Sequence, residues 1–266
     1  MAALDHVVIN TLRNMDAAAA TCEALGFTLT PRGYHSLGSI NHLMMTAGPY
    51  LELVGVPEEG LQRQEVLDSP TGLSGLVFAA TDADATYARL SAAGLPVLEP
   101  LAFSRPVALT NGREEAARFR TVRLPREQSP AGRIYFCQHL TPDLVWRPEW
   151  MGHANGFVGI DRVVVESTDA PADATLYALL ADSRAERRAA GWAVPLDGAE
   201  IHVVDGPRPR FVTADLLFDN LDEIERRARN HPPAEWRRHG ADAGTLDLPA
   251  LDVSLTCRLA PSRSSS

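Results

Sequence analysis

A chain of 266 residues can bury a substantial core without staples and is long enough for two domains. Its net charge of -9 disfavours general nucleic-acid binding, which needs a basic face, and its three scattered cysteines, Cys22, Cys137 and Cys257, form no C-x-x-C pair and suit a reducing compartment. No stretch approaches the roughly 20 apolar residues of a membrane span, and the first residues lack the basic and apolar regions of a secretion signal, so a cytoplasmic protein with no membrane partner is expected.

In chain order, the β-branched run in "LDHVVIN" predicts a strand. "MDAAAATCEALGF" predicts a helix capped by Asn14 or Asp16 and ended by Gly26. "FTLTPRGYH" and "SINHLMMT" read as two strands joined around "HSLGS", and "PYLELVGV" as a fourth with alternating character. This β-α-β-β-β order then repeats. "LSGLVFAATD" supplies a strand, Asp82 a cap, "ADATYARLSAAG" a helix, and "VLEPLAF", "ARFRTVRL" and "GRIYFCQHL" three strands. A third unit opens at "IDRVVVES", close in letters to "LDHVVINT", with a helix at "ADATLYALLAD" and strands "GWAVPL" and "AEIHVVD". The fourth is the weakest: "FVTADLLFD", a helix in "NLDEIERRARNH", then "TLDLPA" and "DVSLTCRLA". The expected organisation is α+β, with tandem βαβββ modules in two curved half-barrel domains over residues 1–140 and 158–260, the second more degenerate. Residues 141–157, with two prolines and two tryptophans, read as an ordered connector, and 261–266 as a disordered tail.

Two side chains stand out in the first module. His6 lies within a buried strand, and alternation puts it on the face of Val8; Glu52 shares a face with Tyr50 and Val54. A carboxylate between Leu51 and Leu53 is costly to bury without a use, and a His-Glu pair facing a cavity is a candidate for acid-base or metal chemistry. The plain alternative is a core histidine satisfied by Glu52. His35 reads as an exposed hairpin residue, while Asn41 and His42 compete for the cavity face of their strand. His139 closes a strand that should line the sheet, and Trp146 and Trp150 read as wedges more readily than as substrate platforms. Between Arg105 and Arg133 the arginines outnumber the acids, so Arg118, Arg120 or Arg123 is a candidate clamp for a carboxylate or phosphate, against the alternative of a solvated edge strand. No G-x-G-x-x-G, G-x-x-x-x-G-K-[ST] or G-x-S-x-G signature occurs.

Four βαβββ units beginning "LDHVVI" and including "YLELVGV" resemble the vicinal oxygen chelate superfamily of glyoxalases, bleomycin-resistance proteins and dioxygenases, most closely its glyoxalase-like branch. The resemblance implies a concave sheet holding a divalent metal, zinc, iron, manganese or nickel, with ligands from the first and last strands of each module. His6 and Glu52 occupy those places in the first module. In the second, aligning "LSGLVF" with "LDHVVI" puts Gly75 at one place, and counting on from Gly132 puts Phe136 at the other, so both expected ligands are missing. A metal would then need other partners, such as Gln138, His42 or His139. The third module carries Arg162 and His202 at the matching places.

Two functions follow. The first is a glyoxalase-like enzyme, a lyase, isomerase or oxygenase, acting on a small oxygenated molecule, anionic where the arginine clamp serves, with His6 and Glu52 as catalytic and metal-binding residues. Around them, His42, Asn41, Arg118, Arg120, Phe136, Gln138, His139 and Trp146 would bind substrate. The second is a metal-free protein that sequesters small molecules in an apolar slot. A monomer or a homodimer suits either.

Overall fold

The computed structural model describes residues 1–109 and 112–261, so the tail expected at 261–266 lies, apart from its first residue, outside the described residues. The first half runs β1 (Leu4–Leu12), α1 (Met15–Ala24), β2 (Gly33–Tyr34), β3 (Ile40–Met44), β4 (Tyr50–Gly55), a one-turn α2 (Gln64–Leu67), β5 (Gly72–Ala79), α3 (Ala83–Ala92), β6 (Leu98–Ala108), β7 (Glu114–Arg123) and β8 (Arg133–His139). The second half runs β9 (Phe157–Ser167), α4 (Ala170–Ala181), β10 (Glu186–Arg188), β11 (Gly191–Leu196), β12 (Ala199–Asp205), β13 (Arg210–Phe218), α5 (Asp222–Arg229), β14 (Glu235–Arg238), β15 (Ala243–Leu248) and β16 (Val253–Leu259). Two eight-stranded sheets result, ordered β2-β3-β4-β1-β5-β8-β7-β6 and β10-β11-β12-β9-β13-β16-β15-β14. This is the expected α+β fold of paired modules.

Local chemistry sets the elements. The side chain of Asp82 accepts from the backbone of Asp84 and Ala85 and starts α3, and Asp169 caps α4 through Ala172. Gly26, with φ of 84°, follows α1 in the left-handed region that a side chain disfavours. The shortest strands are those the sequence pattern conveys least. Only Gly33–Tyr34 of "FTLTPRGYH" is strand, and β10 and β14, which are mostly polar, carry no apolar alternation to announce them.

In the first domain the sheet almost closes on itself. Its outer strands β2 and β6 come together, and the backbone N–H of Ser36 donates to the carbonyl of Ser104 at 2.8 Å. The sheet thus curls into a near-barrel with an interior. That interior is lined by a cluster including Val8, Leu43, Val54, Val77 and Phe119. Helices α1, α3, α4 and α5 lie on the outer faces of the sheets, and Met15, Leu90, Tyr177 and Ile224 belong to one apolar cluster that runs from one domain into the other, whereas Val66 of α2 joins the interior cluster. Edge-to-face contacts of Phe27 with Phe157 and Phe218 join the halves. Among the described residues no helix is long and apolar enough to cross a membrane.

Candidate functional site

The module repeat fixes which residues are equivalent. In the antiparallel β1–β5 pair, His6 lies opposite Val77 and Val8 opposite Gly75, so Gly75 is the symmetry mate of His6. In the parallel pairs, Val8 lies beside Glu52 and Val77 beside Tyr135. Tyr135, not Phe136, therefore takes the place of Glu52 in the second module. Counting from the preceding glycine fails because β4 starts two residues after Gly48 whereas β8 starts one residue after Gly132.

The same registers reveal a β-bulge. Leu4 pairs with Phe78 and His6 with Val77, which leaves Asp5 as the extra residue on β1. A bulge breaks strict alternation and re-aims a side chain, so Asp5 and His6, adjacent in sequence, meet inside the barrel. Their atoms Oδ1 and Nδ1 lie 2.5 Å apart. In the third module Asp161 is skipped in the same way ahead of Arg162.

The site is built around His6, which is 4% exposed and stacks on Tyr50 with ring centroids 4.8 Å apart. Its Nε2 lies 3.4 Å from Oε2 of Glu52 and 3.3 Å from the hydroxyl of Tyr135. The other oxygen of Glu52 accepts from the Asn41 amide at 2.7 Å. Asp5 also holds His139, whose Nε2 is 3.0 Å from its Oδ2. Burial alone would make His6 less basic, but the hydrogen bonds and charges of Asp5 and Glu52 outweigh it and raise its pKa to about 9. Burial alone would likewise push Glu52 up; His6 and Asn41 reverse this and bring it to about 2. Asp5, opposed in the same way by burial, is held well below the usual carboxylate range by His139 and His6.

An inner cavity of about 40 Å³ opens beside this group, lined by His6, Glu52, Asn41 and Tyr135 together with Arg105 and Arg133. His35 also lines it, a correction to the exposed position expected. Its Nδ1 lies 2.9 Å from the Ser39 hydroxyl and its ring packs edge-on to Phe103. Burial lowers its pKa from 6.5 to about 4. A histidine that stays neutral in the fold contributes stability that is complete above pH 6.5 and is lost as the pH falls towards 4, because the unfolded chain takes up the proton first. Urea midpoints measured at pH 7 and pH 4.5 will therefore fall less in His35→Asn than in the parent.

The remaining expected site residues divide between the two faces. Asn41 lines the cavity. His139 lies on the same side, edge-on to Trp146, and Trp146 also meets Tyr50, so this tryptophan backs the site instead of entering it. The other positions are corrected by strand phase. His42 turns to the helix side, where its ring nitrogens meet the Thr30 carbonyl and the Arg32 Nε. Phe136 stacks on Phe78 in the shared outer core. Gln138 caps α3, accepting from the backbone of Ala83 and donating to the carbonyl of Thr81. Arg120 forms a bidentate pair with Asp84, and Arg118 is exposed; both alternate away from Phe119 and Thr121, which line the cavity. Arg105, Arg133, Tyr135 and Asp5 were not singled out by the sequence pattern, although the last follows from the repeated "LDH" and "IDR" once the bulge is known.

A family model described as a glyoxalase-like domain matches residues 4–181. The chain is a member of the glyoxalase-like domain family. No curated protein sequence matches it. In fold, this glyoxalase-like protein is similar to a hypothetical protein from Staphylococcus aureus, with a TM-score of 0.72, 13% identity, and 98% of this chain and 100% of that one covered. It is also similar to the Mn(II)-bound glyoxalase from Novosphingobium aromaticivorans, with a TM-score of 0.56, 13% identity, and 97% and 83% covered. A third similar structure is homoprotocatechuate 2,3-dioxygenase from Arthrobacter globiformis, with a TM-score of 0.58, 14% identity, and 97% and 79% covered. These neighbours share the fold of this chain, with its two curved sheets of paired modules.

The glyoxalase-like site has its own way of filling the four equivalent places. Two hold His6 and Glu52, the third holds the phenol of Tyr135, and the fourth, Gly75, has no room for a side chain. A Cβ there would lie 2.9 Å from Cβ of Val8. Gly75→Ala is accordingly expected to destabilise the protein by about 1–3 kcal/mol. Gly159→Ala, at a position with nothing within 4 Å of the added carbon, should be close to neutral when the two are compared by urea denaturation. In the second domain the corresponding places hold Arg162, His202, Thr213 and Thr256. There Arg162 is tied to Glu200 and Asp215, so a lattice of ion pairs replaces the histidine–carboxylate group.

The donor set of the first domain suits a divalent cation. An imidazole Nε2 and a carboxylate oxygen 3.4 Å apart face one cavity, each backed by a second group, Asp5 and Asn41. The Oδ1 of Asn41 is buried with no hydrogen-bond partner among the described residues, which leaves an acceptor free beside them. A second cluster, Asp5, Cys137 and His139, also brings ligand atoms within 4.8 Å of one another. Its carboxylate is already shared by two imidazoles, and burial keeps the Cys137 thiol protonated, so it suits a metal less well.

Proposed function

We propose that the first domain is a glyoxalase-like enzyme that acts on a small oxygenated molecule seated against His6, Glu52 and Tyr135, and that His6 and Glu52 hold a divalent metal. The observation that carries this reading is the buried His6–Glu52 pair, each member anchored from behind and both facing the cavity. Manganese, iron, zinc and nickel all accept an imidazole with a carboxylate. Bound there, such a cation would supply Lewis-acid polarisation of substrate oxygens. Asp5 fixes the ring orientation and directs Nε2 of His6 inward. Asn41 does the same for Glu52 and leaves Oε2 for the site. Tyr135, kept protonated by burial, donates its hydroxyl hydrogen to a substrate oxygen, and negative charge developing on that oxygen strengthens the bond. Tyr50 and Trp146 close the far side against water.

A second reading, a metal-free binder, is supported by Gly75 and Tyr135 standing where metal ligands are expected. In that case His6 stays protonated between two carboxylates and serves as a hydrogen-bond donor to the ligand. Elemental analysis of protein purified without added metal separates the two. Stoichiometric metal in the parent and none in Glu52→Ala supports the enzyme, whereas a parent that takes up no metal at any divalent concentration leaves the binder.

A further inference from the structure

Two cations in the inner cavity lack an ion-pair partner among the described residues. Arg105 is 3% exposed, and its Nε and Nη2 have no hydrogen-bond partner among the described residues; the same two nitrogens of Arg133 are buried and unpartnered. Neither guanidinium has a carboxylate within ion-pair distance among the described residues, although Arg63 and Arg123 beside them share Glu65. The cost of burying an unpaired guanidinium is several kcal/mol, which a fold retains only where something compensates it.

The surroundings are shaped to admit Arg105. Gly33 lies over it, and a Cβ at Gly33 would come within 2.7 Å of Cδ of Arg105. Arg133 and Tyr135 line both the inner cavity and an adjoining vestibule of about 210 Å³, whose walls include Leu98, Leu124 and Pro125. The inner space is too small for more than a compact polar group, while the vestibule has room for an apolar one.

We infer that Arg105 and Arg133 form an oxyanion subsite, and that the molecule taken by the cavity is an organic acid. Its carboxylate or phosphate lies against the two guanidiniums, its neighbouring oxygens face His6 and Glu52, and its apolar remainder occupies the vestibule. Fork-shaped donors match planar oxyanions and strengthen the preference for an acid over its neutral isostere. The assignment rests on the cavity of the first domain being the working site, but it does not need a metal there.

The test uses the full chain, with calorimetric titration of benzoate, phenyl phosphate and the neutral benzamide into metal-free and Mn(II)-loaded protein. Benzoate or phenyl phosphate should bind and benzamide should not, and the better of the two acids identifies the group. Arg105→Met and Arg133→Met should each weaken acid binding about tenfold or more. In the absence of ligand both variants should melt no lower than the parent, since each removes a guanidinium whose buried nitrogens have no hydrogen-bond partner among the described residues. Arg105→Lys should retain part of the binding. Equal binding of benzamide, acid binding unchanged in both methionine variants, or a sharp fall in their melting temperatures would each overturn the subsite. Acid binding without any Mn(II) uptake would uphold the subsite while removing the metal from the proposed function.

Discussion

Asp5→Ala is expected to lower the stability of the protein by about 3–5 kcal/mol, a loss large enough to be seen at once in a urea titration. The carboxylate is 5% exposed and holds two imidazoles, Nδ1 of His6 and Nε2 of His139. Removing it leaves polar groups buried without their partner, and that desolvation cost exceeds what the ion pair contributes by itself. Asp5→Asn should recover part of the loss, because its amide oxygen still accepts from one ring. Asp161→Ala is the matched control: its carboxylate sits at the same bulge in the second domain, 31% exposed on its side chain and 3.6 Å from the Arg258 guanidinium, and should cost about 1 kcal/mol or less.

Glu52→Ala is expected to have the largest effect on function. Losing one of two protein ligands should weaken divalent binding by about two orders of magnitude or more, since even a partner behind a ligand is worth about 10- to 100-fold. Asn41→Ala, which removes such a partner, should fall within that smaller range. Cys137→Ser should leave the affinity unchanged, because it touches only the other cluster of ligand-type side chains. A metal that survives in Glu52→Ala and is lost in Cys137→Ser would place the cation on Asp5, Cys137 and His139 instead. Calorimetric titration with Mn(II) separates these outcomes.

The repeat of modules was legible because each begins with an apolar strand followed by a helix; Asp82 and Asp169 cap α3 and α4 as local chemistry predicts, whereas α1 starts without the side-chain cap expected from Asn14 or Asp16. His6 and Glu52 were legible because alternation holds from His6 to Val8 on β1 and from Tyr50 to Val54 on β4. The rest of the site depends on departures from regularity. Asp5 is adjacent to His6, so alternation sends it to the opposite face, and only the bulge brings the two together. Tyr135 is displaced by one position from the residue that counting selects, because β8 starts one residue after Gly132 whereas β4 starts two residues after Gly48. Slipping by one residue on a strand changes the face, which is why Phe136 and Gln138 were assigned to a cavity they turn away from. Among the arginines, composition signalled a positive second module correctly but not its geometry. The outward pair Arg118 and Arg120 and the inward Arg105 and Arg133 differ in strand phase alone, and the closure of β2 on β6, which buries Arg105, is a long-range event with no local signature.

Whether His6 and Glu52 hold a metal is decided by titrating Mn(II) into metal-free protein and following the free ion by electron paramagnetic resonance, for the parent and Glu52→Ala side by side. One ion per chain should bind saturably in the parent, and that binding should be lost in the variant. Absence of saturable binding in the parent, or an unchanged isotherm in Glu52→Ala, would contradict a metal on this pair.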